Sequence, residues 1–201
     1  MDGSANLASD QERTMLRDAI RSLLAQHWPA EKAKSLAAHP PDVARIWKVL
    51  AEQGCPVLGA DASSGGLREI LIVMQELGRA ACPAPMLDAA IANLALAQLA
   101  SENPQVAQFL AALHAGDAYA CVSFGALDPD RGIGTINAAN GQISGKVNFV
   151  DGAQAATHFV LFDVAGPTVA IVAMSARTVQ VTVIPETEAI ALARQAKIES
   201  D

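Results

Sequence analysis

The chain has 201 residues, enough for one large domain or two small ones with a sizeable core. Hydrophobic residues make up 51% but aromatics only 4%, a balance weighted by alanine that suits helices packed through small contact residues. A net charge of −7 and a sequence pI near 5.0 argue against a nucleic-acid phosphate backbone as partner, and leave room for a phosphorylated small molecule in a local basic or amide-rich pocket.

The N-terminus, MDGSANLASDQERTML, lacks a basic region followed by an apolar stretch, so no signal peptide is expected. Ser9 and Glu12 form an S-x-x-E capping box ahead of a helical run. Met15, Leu16, Ala19, Ile20, Leu23 and Leu24 then recur at helical spacing, and Pro29 ends the run. Pro41 is placed to open a second helix, with Val43, Ile46, Trp47 and Leu50 inward and Gly54 as its stop.

After the loop CPVLGADASSGG, LREILIVMQELGRA predicts a third helix burying Leu67, Ile70, Leu71, Met74 and Leu77. In it Gly78 either permits close helix contact or ends the helix, and Glu76 with Arg79 reads as an exposed ion pair. Two more helices follow, Leu87 to Ala100 and Pro104 to Leu113. The first of these is too short and too polar to span a bilayer, so no membrane partner is expected.

From Ala118 the period changes. AYACVSFGAL reads as a buried strand, GQISGKVNFVDG as a hairpin-like pair, and HFVLFDV, TVAIVAM and TVQVTVI as β-branched strands between small turns. The expected fold is therefore α+β: an N-terminal all-helical domain over 1–115, a small β-barrel domain over 116–185, and a helix or tail over 186–201. Cys55, Cys82 and Cys121 are odd in number and widely spaced, which predicts a reduced, cytoplasmic chain. His27, His39, His114 and His158 have no partner at metal-ligand spacing, so no metal site is expected. A nucleophile pair of Cys121 with His158 requires adjacency in space; the competing reading makes Cys121 a buried small residue.

Residues 50 to 87, LAEQGCPVLGADASSGGLREILIVMQELGRAACPAPML, resemble the N-terminal helical domain of acyl-CoA dehydrogenases. The likeness lies in a helix ending at Gly54, the Gly65-Gly66 turn, the helix end Glu76-Leu77-Gly78-Arg79, and the prolines Pro83 and Pro85. LHAGDAYACVSF resembles the passage into that family's β domain, and NGQISGKVNFVDGAQAATHFVLF its next signature, where a lysine and an apolar-aromatic pair sit beside a flavin. The resemblance implies helices, a small β barrel and a further four-helix bundle, with bound FAD and an acyl-CoA substrate desaturated between its α and β carbons.

On that resemblance, Ser123, Phe124 and Gly125 end the first strand where backbone approaches the flavin, and Phe149, Val150 and Asp151 form the second flavin-facing segment. The bland alternatives are a plain strand end and a core aromatic followed by a turn aspartate. Arg131 and Gly132 offer a guanidinium and close backbone approach to a CoA phosphate, against the alternative of a solvated turn. The family's T-E-P-x-x-G-S-D-like segment corresponds here to SFGALDPDRGIGT, in which Asp128-Pro129 would stand for Glu-Pro and the threonine ahead of it is absent. No catalytic residue is expected in this chain. The resemblance puts the base, a glutamate, in the bundle, so a homo- or hetero-oligomer with a chain carrying that bundle is expected. The alternative is a non-catalytic subunit that stabilises a partner dehydrogenase.

Overall fold

A computed structural model describes residues 3–61, 63–124, 134–139, 142–147, 150–162, 169–175, 180–183 and 196–200, with backbone only at 3–9, 124, 134–139, 142–147, 180–183 and 196–200. It divides into two compact units, Met1–Asp117 and Ala118–Asp201. No helix among the described residues is long and apolar enough to cross a membrane.

The first unit is helical. Helix α1 spans Gly3–His27, so the expected capping box at Ser9 lies inside the helix. SANLAS carries alanine and leucine, good helix formers that let the helix start earlier. Pro29 is extended (φ −63°, ψ 136°) and ends α1 as expected. After the short α2 (Ala33–Ala37), α3 (Pro40–Glu52) buries Val43, Ile46, Trp47 and Leu50. Gly54 follows it in the left-handed region. Helix α4 (Leu67–Arg79) is rotated from expectation: Ile70, Ile72, Val73, Glu76 and Leu77 are buried, while Leu67 and Leu71 are exposed. The sequence is apolar on more than one side of this helix, so its period alone leaves the inward face open.

Gly78 stays helical, and a Cβ there would meet nothing within 4 Å, so it serves no close helix contact. The turn comes at Ala81, a non-glycine residue at φ +48°, where the Cys82 N–H donates to the Leu77 carbonyl at 2.9 Å. Helix α5 is Met86–Leu96, shorter than expected, and a 3-10 turn over Ala97–Leu99 carries the chain on. Helix α6 (Pro104–His114) is capped by Asn103, whose Oδ1 accepts from the backbone of Gln105 and Val106.

Gly116 closes the unit at φ +73°. A Cβ there would sit 2.6 Å from the Ala51 Cβ and 3.2 Å from the Lys48 Cα, so α3 and the end of α6 approach as only glycine allows. Lys48 ties the same corner, donating to the Ala115 carbonyl at 2.9 Å and to the Asp117 carboxylate.

The second unit carries β1 (Ala120–Phe124), β2 (Gly134–Ala139), β3 (Gln142–Val147), β4 (His158–Phe162), β5 (Val169–Ala173), β6 (Gln180–Val183) and β7 (Ala196–Ser200). They form two sheets, ordered β1-β4-β5 and β2-β3-β7-β6. Among the described strands only the β1–β4 pair is parallel. Helices followed by strands is the expected class, but the described strands do not close into a barrel. Closure needs hydrogen bonding from the last strand back to the first, and each sheet here has two edges. The expected C-terminal helix or tail also differs: Ala196–Ser200 is a strand, paired with both β3 and β6. AKIES alternates small or apolar residues with charged ones, a period-2 pattern too short to be read from sequence.

Candidate functional site

Strand β1 and the turn after residue 149 come together in the β unit. The Cys121 thiol donates to the Asp151 carbonyl at 3.0 Å. Gly152 (φ +69°) lies against Tyr119, where a Cβ would stand 2.8 Å from the phenol oxygen. The base of β1 is locked to β4 by Thr157. Its N–H donates to the Tyr119 carbonyl at 2.9 Å, and its hydroxyl accepts from the Tyr119 N–H at 2.9 Å.

Alternation along a strand places Ser123 on the same face as Cys121. Ser123 and Val150 are buried, Asp151 is exposed, and Phe124 is the last residue of β1. Two expected site segments, the end of β1 and Val150-Asp151, thus adjoin through Cys121 and Tyr119. Gly125, Arg131, Gly132 and Phe149 lie outside the described residues.

A flavin ring asks for hydrogen-bond donors to its oxygens and nitrogens, together with apolar cover. The Ser123 hydroxyl and the Val150 side chain are groups of those two kinds, both buried within the unit. Partial desolvation raises the Asp151 carboxyl above its ordinary value, and burial lowers the His158 imidazole. The hypothetical Cys121–His158 pair is not formed. Cys121 pairs with Phe159, and His158 with Ala120, so the two side chains leave opposite faces of the sheet. Burial pushes the Cys55 and Cys82 thiols up to about 12, which keeps both protonated and unreactive at neutral pH.

Two polar clusters of the helical unit centre on buried side chains, Glu76 and Asn93. Glu76, expected as an exposed partner of Arg79, is 2% exposed. It accepts two hydrogen bonds from Arg21 of α1, at 3.0 and 2.9 Å, while Arg79 stands 3.6 Å away. The Arg21 hydrogen bonds hold the Glu76 carboxyl below its ordinary value against the opposing effect of burial. The spacing of Arg13, Arg17 and Arg21 on α1 was the available signal: Arg13 likewise donates to Glu69, at 2.9 Å.

The second cluster centres on Asn93, fully buried in the otherwise apolar IANLAL of α5. Its Nδ2 donates to the carbonyls of Pro56 (2.8 Å) and Leu58 (3.2 Å). Its Oδ1 is therefore left to accept, which assigns the proton to His114 Nε2 at 2.8 Å. Asn93 thereby pins the loop between α3 and α4. On the outer side of α5, Leu87 and Leu94 are exposed, Leu94 by 81%.

Residues 10–117 match the family described as acyl-CoA dehydrogenase, N-terminal domain. Over 126 residues the chain is 39% identical to the acyl-CoA dehydrogenase IpdE2 of Mycobacterium tuberculosis, a match covering 60% of this chain and 38% of that protein. The fold is similar to that of a variant of the Tcur3481-Tcur3483 steroid ACAD (TM-score 0.74, 19% identity), with 96% of this chain and 55% of that one covered. It is also similar to a glutaryl-CoA dehydrogenase from Mycobacterium smegmatis solved with FADH2 (TM-score 0.67, 14% identity, 95% and 53% covered). The chain thus spans about half the length of these structural relatives. The family match takes in more than half of the 201 residues, and the chain belongs to the acyl-CoA dehydrogenase family.

Proposed function

We propose that this chain takes part in FAD-dependent α,β-desaturation of an acyl-CoA thioester, as one component of a hetero-oligomer acting on a steroid-derived acyl group. The observation that carries this reading is the family match over 10–117, joined to 39% identity with a protein named as an acyl-CoA dehydrogenase. The steroid and two-chain elements draw on the Tcur3481-Tcur3483 likeness, and the flavin on the relative solved with FADH2.

In this reading Ser123 offers its hydroxyl to the ring, and Val150 gives apolar cover. Phe124, Gly125, Phe149 and Asp151 complete the wall, and Arg131 with Gly132 meets a CoA phosphate. Flavin, when bound, supplies the acceptor for the β hydride as the α proton leaves to a carboxylate and the C=C bond forms. That carboxylate is assigned to a helical bundle elsewhere in the same polypeptide or in a partner. Placement in the reducing cytoplasm is part of the same reading, resting on three widely spaced cysteines, an odd number.

The test is native mass spectrometry of the protein purified from its own host. FAD retained with a second chain supports the reading, FAD within one longer chain keeps the desaturation and removes the hetero-oligomer, and loss of flavin from a Ser123→Ala, Val150→Asp double variant sharpens the flavin assignment. A flavin-free assembly with a partner dehydrogenase instead favours the non-catalytic subunit, the reading to which the absence of a T-E-P segment from SFGALDPDRGIGT points. A flavin-free monomer overturns both.

A further inference from the structure

A cleft of about 520 Å³ opens between the C-terminal ends of α1 and α4, within the helical unit and built from none of the residues proposed above for the flavin. Its apolar lining includes Leu24, Trp28 and Pro29, and its polar lining Arg21, Glu76 and Arg79. This size is in the range of small-molecule sites, roughly 300–1,000 Å³.

Two observations indicate what would fill it. The Trp28 indole N–H is the one buried side-chain polar atom without a hydrogen-bond partner among the described residues. A buried donor left unpaired in a native fold calls for an explanation, a missing acceptor being the simplest. Arg79 adds more unspent donors: its ion pair with Glu76 is 3.6 Å long, beyond hydrogen-bonding geometry, and its side chain is 62% exposed. Glu76 is already occupied by the two Arg21 bonds, so it does not compete strongly for Arg79.

The charges around the cleft are Arg21, Arg79 and Glu76, with Glu31 also in the lining and Arg17 close enough to stabilise the Glu76 carboxylate. Asp18 acts on Arg21 in the same way, so three arginines stand against three carboxylates and the charges balance. The cleft pairs an aliphatic and aromatic floor with unspent donors, and a planar guanidinium is best matched by a two-oxygen acceptor.

We propose that this cleft binds a small amphipathic carboxylate, its acid group accepting from the Trp28 indole N–H and from Arg79, and its aliphatic or alicyclic body on Leu24 and Pro29. The site does not depend on the desaturation reading, because it uses neither flavin nor thioester.

The experiment is a titration of the 15N-labelled protein with octanoate, following the two indole N–H resonances, with Trp28→Phe to assign them. A saturable downfield shift of the Trp28 resonance is expected. Octanamide, with the same chain and no charge, is expected to bind about tenfold more weakly, as is octanoate to Arg79→Gln, a loss of roughly 1.4 kcal/mol each. Ala25→Phe, at an exposed residue of the lining, fills the cleft and removes the shift. The proposal fails if octanoate gives no saturable shift, if octanamide or Arg79→Gln matches wild type with octanoate, or if a second polypeptide protects the Trp28 N–H where octanoate does not.

Discussion

The two units of this protein are held by different kinds of long-range tie. In the helical unit the distant connections are side chains: Arg13 to Glu69, Arg21 to Glu76, and Asn93 to the carbonyls of Pro56 and Leu58. In the β unit they are backbone ladders, with β1 laid parallel on β4. Thr157 fastens the base of β1 to the start of β4, and Cys121 fastens the strand to the turn at Asp151. The helical unit can therefore be loosened one side chain at a time. The β unit brings the end of β1 to the Val150-Asp151 turn by register, and a substitution there acts through the whole sheet.

The strongest test of that contrast is a pair of core truncations. Trp47→Ala and Phe159→Ala each remove a fully buried ring and are expected to cost about 3–5 kcal/mol. Both tryptophans lie in the helical unit, so tryptophan fluorescence in urea reports that unit alone. Phe159→Ala should leave the fluorescence midpoint in place while amide protection in β1, β4 and β5 falls. An equal shift in both signals would mean the units unfold as one.

Glu76→Gln comes next. Removing the charge from a buried carboxylate leaves Arg21 with a poorer acceptor; since Arg21 itself is half exposed, a loss of about 2 kcal/mol is expected from the fluorescence-monitored urea midpoint. A change below experimental error would show that the pair is dispensable, and with it the idea of side-chain ties across the helical unit. Ala81→Gly has the opposite sign. It relieves an L-residue at φ +48° and is expected to stabilise by about 1 kcal/mol, read as a higher thermal midpoint.

The smallest effect is a pH dependence. Burial lowers the His114 imidazole below its ordinary value, so the folded chain favours the neutral ring. The unfolded chain takes up the proton first as pH falls. The contribution is therefore complete above the unfolded pKa, near 6.5, and declines as pH drops from there toward the folded value. His158 is lowered for the same reason in the β unit. His114→Gln should flatten the slope of stability between neutral and mildly acidic pH as seen by tryptophan fluorescence, and leave the slope seen by β-unit amide exchange.

Much of the helical unit is legible in the sequence because its signals are local. Prolines at 29 and 40–41, the left-handed Gly54 and the inward face of α3 all act within one or two turns of where they sit. Local signals give out where a helix is apolar on more than one side. That is why periodicity puts Leu67 and Leu71 inside and Glu76 outside, the reverse of the structure. The site is half legible: a resemblance picks out Ser123 and Val150-Asp151, but no pattern in the residues indicates that a cysteine thiol and a tyrosine bring the two stretches together.

By itself the sequence determined the order of the architecture, helices and then strands, and the family, because periodicity and Gly-Pro punctuation are properties of the chain near each residue. Tertiary structure alone decided which face of α4 points inward, that AKIES becomes a strand, and that Asn93 holds the loop between α3 and α4. Those outcomes depend on partners dozens of residues away: a carboxylate such as Glu76 is buried only once a distant arginine is there to meet it.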